Sequence, residues 1–361
     1  MRVLMTADTV GGVWTYALEL ADALADRDVE VVLATMGAPL SPAQRADLRG
    51  SRVSRTYAES LKLEWMDDPW VDVDLAGRWL LRIRDEVEPD VVHLNGYAHA
   101  TLPWELPLLV AGHSCVLSWH AAVRREQAPA MWNRYAARVA AGLDAADLVV
   151  APTQAMLREL ERRYALRTDR AVIPNGRRPS GVVRAKEPLV LSAGRLWDEA
   201  KNVAALDRVA AGLAWPVFVA GALEPGQRPR QARPLGRLGR HATDQWLARA
   251  SIFALPARYE PFGLAALEAA LAGCALVLGD IQSLHEVWGD AALYVDPEDD
   301  DGLAAALTLL IENPELREEM AAAAGRRARL YGPERMAAAY GDAYERLATP
   351  IAAEREEALA R

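Results

Sequence analysis

Lysine is scarce in this 361-residue chain, there are only two cysteines, and no apolar run is long enough to span a bilayer. Each shortage excludes something. Cys115 and Cys274 are far apart and lack metal-ligand spacing, so they are expected as buried small residues in a reducing compartment. A net charge of -9 argues against non-specific nucleic-acid binding, which needs a positive surface. Met1-Arg2-Val3-Leu4-Met5 reads as a first strand, and Asp8 follows too soon for a secretory apolar core. A cytoplasmic location is therefore expected, with peripheral membrane contact left open. There is no Gly-x-Ser-x-Gly elbow, His-Glu-x-x-His pair or Walker loop. Scarce lysine beside abundant arginine and alanine points to a bacterial coding bias of high GC content.

Short apolar runs alternating with helical patterns are abundant. Val3–Met5, Val29–Ala34, Asp90–Leu94, Leu108–Ala111 and Asp147–Ala151 read as strands, while 39–74 reads as irregular. After a segment rich in Arg, Pro and Gly the rhythm restarts at Leu189–Ala193, followed by a helix over 202–213. Val217–Ala220, the Ile252–Leu255 run and Ala275–Leu278 follow as buried strands. This alternation predicts an α/β protein of two Rossmann-like, doubly wound domains with parallel sheets, over 1–180 and 187–332. A charged helical segment, 333–361, is expected to pack back across them. Ligands of such sheets bind beyond the carboxyl ends of the strands, and a cleft between two facing domains is the expected site.

The most informative stretch is Arg258-Tyr259-Glu260-Pro261-Phe262-Gly263-Leu264-Ala265-Ala266-Leu267-Glu268. A strand, a tight turn and a helix start bring backbone N–H groups together, which suits an anion, and two carboxylates suit hydroxyl groups attached to it. Phosphate plus hydroxyls describes a sugar nucleotide. Arg195 and Lys201 also follow a strand and precede a helix, where two cations can neutralise a departing diphosphate without a metal. Gly11-Gly12 forms a strand-to-helix turn that lets backbone approach a ligand. It is not the Gly-x-Gly-x-x-Gly dinucleotide fingerprint, which disfavours an NAD-dependent dehydrogenase. His113, ending the Leu108–Gly112 run, is placed to bond a sugar hydroxyl, with His120 as a rival. The acidic run 298–301 reads as a helix cap, and Trp14, Trp104, Trp119 and Trp132 read as core or as an acceptor surface.

Taken together, Glu260-x7-Glu268, Gly194-Arg195 with Lys201-Asn202, Pro174-Asn175-Gly176 and Gly11-Gly12 resemble the retaining glycosyltransferases of family 4. The resemblance spans nearly the whole chain and is strongest over 190–297. It implies a GT-B fold, a donor held by the second domain and an acceptor bound by the first. It further implies that Arg195 and Lys201 bind the donor diphosphate, Glu260 the transferred sugar, the Pro261–Leu264 turn the phosphates through its amides, and Glu268 the ribose. Gly11 and Gly12 would approach the phosphate, Arg237 and Leu238 the nucleobase, and His113 matches a histidine common after a first-domain strand. Two departures stand out: His113-Ser114 replaces the usual His-Asp or His-Thr, and Arg177-Arg178 replaces the commoner Val-Asp after Asn175-Gly176. The region 222–234, Arg- and Pro-rich, is expected as a flap.

The implied activity moves a hexose from a nucleotide-sugar, UDP-linked in preference to GDP- or ADP-linked, to an unidentified acceptor hydroxyl on a glycan, lipid or small molecule. No metal or other cofactor is expected, and no nucleic-acid partner. A GT-B sugar-nucleotide epimerase and a non-catalytic sugar-nucleotide-binding protein are the alternatives.

Overall fold

Residues 1–223 and 229–359 are described by the computed structural model of the chain, with side chains described as far as 349. The centre of the expected flap, 224–228, lies outside the described residues. The chain forms two compact units: Met1–Ser118 with Gln127–Gly176 and the segment from Pro333 onward, and Trp119–Glu126 with Arg177–Gly332.

The first unit begins with β1 (Arg2–Asp8), α1 (Gly12–Leu24), β2 (Glu30–Met36), α2 (Pro42–Gly50), β3 (Arg55–Ala58) and α3 (Trp70–Val87). It continues through β4 (Val91–Leu94), β5 (Leu108–Ala111), the start of α4 (Val116–Val123, whose residues from Trp119 onward belong to the second unit), α5 (Asn133–Ala145), β6 (Leu148–Ala151), α6 (Gln154–Tyr164) and β7 (Asp169–Val172). The sheet is parallel throughout, in the order β3-β2-β1-β4-β5-β6-β7. Residues 39–74, expected to be irregular, contain α2, β3 and the start of α3. Ser41 caps α2 by accepting the Gln44 N–H, while the Gln44 side chain accepts the Ser41 N–H. β3 lies at the sheet edge with half-buried or exposed residues, so it lacks the apolar run that marks a central strand.

The second unit comprises β8 (Glu187–Ala193), α7 (Val203–Val209), β9 (Val217–Ala220), β10 (Arg233–Gly236), α8 (Arg240–Arg249), β11 (Ala250–Leu255) and α9 (Leu264–Leu271). Then come β12 (Ala275–Gly279), α10 (Gln282–Trp288), β13 (Leu293–Val295), α11 (Asp300–Glu312) and α12 (Pro314–Ala328). Its sheet is also parallel, in the order β10-β9-β8-β11-β12-β13. Both faces are buried. Leu191, Phe253, Leu276 and Leu278 pack with Leu267 of α9, while Val190, Ile252, Ala254 and Val277 pack with Leu206 of α7 and Leu307 of α11. Alternate residues thus feed opposite cores, which explains strands that read as unbroken apolar runs. Asp299 caps α11 by accepting the Gly302 N–H at 2.9 Å, the role expected for the acidic run.

After α12 the chain enters α13 (Pro333–Leu359), whose Tyr340 and Tyr344 are fully buried in the first unit against α1 and β4. Their partner is His93 of β4, itself fully buried. The His93 Nδ1 lies 2.6 Å from the Tyr344 hydroxyl, and the Tyr340 ring stacks on the imidazole at 5.1 Å. Burial lowers the His93 pKa to about 3, with the neighbouring His113 adding to the effect. Both cysteines are buried, Cys115 Sγ lying 3.0 Å from the Tyr164 hydroxyl and Cys274 Sγ donating to the Leu247 and Ala250 carbonyls.

Candidate functional site in the second unit

Strand order in the second unit reverses between β8 and β11, so their carboxyl ends open a crevice that no crossing connection fills. Arg195 and Lys201 follow β8, and Glu260 follows β11. Geometry brings two of these three into contact: Lys201 Nζ donates to Glu260 Oε2 at 2.6 Å, with both side chains largely buried. Arg195 instead pairs with Asp198, Nη2 to Oδ2 at 2.8 Å. The Arg195 Nε is buried and has no hydrogen-bond partner among the described residues. A buried guanidinium N–H left over after internal pairing is a donor available to a ligand.

Asp198 organises this end of the site, although the sequence did not single it out. Its carboxylate accepts from the Trp119 indole N–H at 2.9 Å, from the Ala200 N–H at 3.0 Å and from Arg195. The Ala200 bond caps the 3-10 turn Glu199–Lys201 that carries Lys201. Burial opposes ionisation of Asp198, but Lys201, Arg195 and the two N–H donors outweigh it and hold the pKa below the usual range. Asn202, in the left-handed conformation at φ 52°, then sends its Nδ2 to the Pro256 and Pro297 carbonyls at 3.1 and 2.7 Å. Those bonds tie the Lys201 turn to the ends of β11 and β13.

In the Pro261–Leu264 turn, expected to offer amides to an anion, two amides meet a carboxylate of the same loop. Glu260 Oε1 accepts from the Gly263 N–H at 3.0 Å, with Phe262 N at 3.5 Å. Gly263 is the N-cap of α9 at φ 91°, where a side chain is strained, and an added Cβ would stand 3.2 Å from Leu284 Cδ2. Phe262 is buried with its ring edge-to-face on Tyr331 at 5.6 Å. Ser283 Oγ donates to the Glu260 carbonyl at 2.5 Å and steadies the loop from α10.

Glu268 lies deeper along α9 and pairs with a different residue. Its Oε1 accepts from Arg177 Nε at 2.7 Å, and the Arg177 side chain is 5% exposed. Burial raises the Glu268 pKa and the Arg177 guanidinium opposes that rise. Arg237 and Leu238 follow the edge strand β10, with Arg237 exposed. No group of three or more His, Cys, Asp or Glu among the described residues has the arrangement of a metal site.

The remaining expected residues belong to the first unit. Gly11 is the extended N-cap of α1, which Gly12 starts. The N–H groups of Val10 and Gly11 donate to Asp8 Oδ1 at 2.9 and 3.0 Å, so this turn too is met by a nearby carboxylate. His113 Nε2 lies 2.7 Å from Asn95 Oδ1, and its ring meets Tyr16 edge-on at 4.4 Å. Burial lowers its pKa to about 4, so it is neutral at pH 7. His120 sits beside Trp119 in the stretch that joins the second unit, which separates the two rival histidines. Trp14 and Trp104 are buried, each donating its indole N–H internally, to Asp47 and to the His99 carbonyl. They are core rather than an acceptor surface. No described helix is long and apolar enough to cross a membrane.

The chain is similar to known proteins. Residues 10–180 match the family described as Glycosyltransferase Family 4, and residues 177–327 match Glycosyl transferases group 1. An O-antigen chain mannosyltransferase B of Escherichia coli is 32% identical over 135 residues, covering 37% of this chain and 31% of that protein. The match therefore spans under a third of that relative's length. A D-inositol 3-phosphate glycosyltransferase of Xylanimonas cellulosilytica is 28% identical over 392 residues, covering 92% of this chain and 91% of that one. Among solved structures, sucrose-phosphate synthase from Thermosynechococcus elongatus has a TM-score of 0.79 at 19% identity, covering 96% and 99% of the two chains. Anabaena HepE in complex with UDP-glucose has a TM-score of 0.73 at 17% identity, covering 98% and 100%. With two adjoining family matches over 10–327 and the two parallel sheets of the fold, this chain belongs to the family 4 glycosyltransferases of GT-B fold.

Proposed function

We propose that the chain is a retaining hexosyltransferase that moves a hexose from a nucleotide-sugar donor to an acceptor hydroxyl without a metal ion. The observation that carries this reading is the cluster at the carboxyl ends of β8 and β11. There Arg195 keeps a buried Nε without a partner, Lys201 adds a second cation, and the α9 N-terminus adds backbone donors. Such a cluster binds a diphosphate, and Glu260 beside it accepts hydrogen bonds from sugar hydroxyls. The amides of Phe262, Gly263 and Leu264 would share the phosphate, Glu268 would take the ribose, and the Arg237-Leu238 segment would reach the base. UDP as the nucleotide and glucose-like hexoses as the sugar draw support from HepE, solved with UDP-glucose. Roles for Gly11, Gly12 and His113 rest on the family resemblance alone.

In the proposed reaction the bond from the sugar C1 to the phosphate oxygen breaks and its electron pair stays on the nucleoside diphosphate. The acceptor oxygen bonds to C1 on the same face, and its proton passes to the departing phosphate. No protein nucleophile is needed. What the chain supplies is stabilisation of the charge on the leaving group, by Arg195, Lys201 and the helix start, together with fixed placement of the donor.

Thermal shift of the whole protein with UDP-, GDP- and ADP-sugars tests the donor. A ligand at a hundred times its dissociation constant raises stability by about 2.7 kcal/mol, which is easily read. Nucleotide release with the stabilising donor across an acceptor panel, with the product anomer read by NMR, tests transfer and retention. Turnover should survive excess EDTA; complete loss would mean that a metal carries the diphosphate charge. Failure of every sugar nucleotide to shift the melting curve would overturn the reading.

A further inference from the structure

The pairing of Arg177 with Glu268 joins residues 91 positions apart, and it falls where the sequence departs from the family pattern. Arg177 is anchored on both sides. Its backbone N–H donates to the Tyr331 carbonyl at 2.9 Å, and the Tyr331 ring packs on Phe262 of the phosphate-facing turn. Tyr331 is held in turn by its hydroxyl bond to the Val287 carbonyl at 3.0 Å. The guanidinium is therefore fixed, 5% exposed, and spends its Nε on one oxygen of Glu268.

A carboxylate receives ribose hydroxyls most strongly when it is ionised and presents an oxygen in one direction. Burial in α9 works against the first condition, and a side chain with rotamer freedom works against the second. The charged groups facing Glu268 are Arg177 from the segment after β7, and Arg240 and Asp244 from α8. Asp244 opposes ionisation, Arg240 favours it, and Arg177 both favours it and donates a hydrogen bond to it.

We propose that Arg177 is a positioning residue whose Nε bond fixes the Glu268 side chain toward the ribose hydroxyls of the donor. This rests on the reading of Glu268 as the ribose contact. Its consequence is that recognition of the ribose depends on a second residue acting through Glu268.

The test uses the whole protein with UDP, GDP and ADP and the 2′,3′-dideoxy form of each, by isothermal titration calorimetry between pH 6 and 8.5. The wild type should bind the ribose forms about ten- to a hundredfold more tightly than the dideoxy forms, the scale of a hydrogen bond to a charged group. Arg177→Met should lose most of that preference at pH 7 while binding the dideoxy forms as the wild type does. Part of the preference should return as the pH is raised and Glu268 ionises. Glu268→Gln should lose it at every pH. Should Arg177→Met fail to fold, Arg177→Lys, which keeps the charge but loses the fork, carries the same test with a smaller loss. If Glu268→Gln discriminates as the wild type does, the ribose reading fails. If Glu268→Gln loses the preference but both Arg177 variants keep it at all pH values, Glu268 stands and the role of Arg177 is overturned.

Discussion

Replacing Lys201 by methionine separates what its ion pair does for the fold from what it does for the reaction. In the protein, Nζ lies 2.6 Å from Glu260 Oε2, with the two side chains 12% and 15% exposed. Lys201→Met removes one partner and leaves a largely buried carboxylate whose remaining donors among the described residues are the Gly263 N–H and, at 3.5 Å, the Phe262 N–H, both on Oε1. Hydrogen bonds to charged groups contribute about 1.5–3 kcal/mol, so a loss near 2 kcal/mol is expected. Lys201→Met with Glu260→Gln removes both charges together, and its stability should return to within about 1 kcal/mol of the wild type, because replacing a whole pair costs far less than breaking it. Turnover should behave otherwise. Removing one donor to the developing charge lowers the rate about a hundredfold or more, and the double variant restores no cation, so it should remain at least as slow. Urea denaturation measures the first quantity, and nucleotide release from the donor that stabilises the protein measures the second. Near-normal turnover in a folded Lys201→Met protein would remove Lys201 from the mechanism. A double variant as unstable as the single would show that the pair is not what Lys201 contributes to the fold.

Other outcomes follow from the same structure. His93 has a pKa near 3 in the fold against an ordinary value of 6.5, so the unfolded chain binds the proton first and stability falls as the pH drops through that window. The slope is about 1.4 kcal/mol per pH unit for this one group, and denaturation curves from pH 7 to 4 should be flatter in His93→Gln. Equal slopes would exclude His93 as a source of acid sensitivity. Asp198→Asn should raise the KM for the donor more than it lowers kcat, because Arg195 and the Lys201 turn lose their common anchor; an unchanged KM would sink that role. Gly263→Ala forces a side chain onto φ 91° and should destabilise by about 1–2 kcal/mol, seen as a lower melting temperature. A melting temperature unchanged from the wild type would mean that the turn relaxes without strain.

Much of this was legible because both sheets are buried on both faces. Ile252–Leu255 and Ala275–Leu278 carry no polar residue to confuse the pattern, and they emerge as β11 and β12 with one extra turn of backbone or less at either end. What escaped lies at the edges. Arg55–Ala58, Asp169–Val172 and Arg233–Gly236 each border a single neighbour and keep exposed residues, so no apolar run announces them. The motif residues were visible too, but not their partners in the folded protein. Asp198 and Trp119 are 79 positions apart, and Arg177 and Glu268 are 91 apart, distances at which only the packed fold decides contact. The turn amides show a subtler limit: spacing predicted N–H groups aimed at an anion, and the fold presents Glu260 itself to those of Phe262 and Gly263.

The return of α13 to the first unit has a consequence for synthesis. The core around His93 needs Tyr340 and Tyr344, yet Arg177–Gly332 of the second unit must be made before either tyrosine exists. At about 5–20 residues per second that interval is roughly 8–30 s. During it the nascent first unit carries all seven strands but has an open hydrophobic face over α1 and β4. The second unit, continuous apart from the short 119–126 stretch, can complete its own sheet in that time. The unit begun first therefore cannot close its core around His93 until α13 has been made.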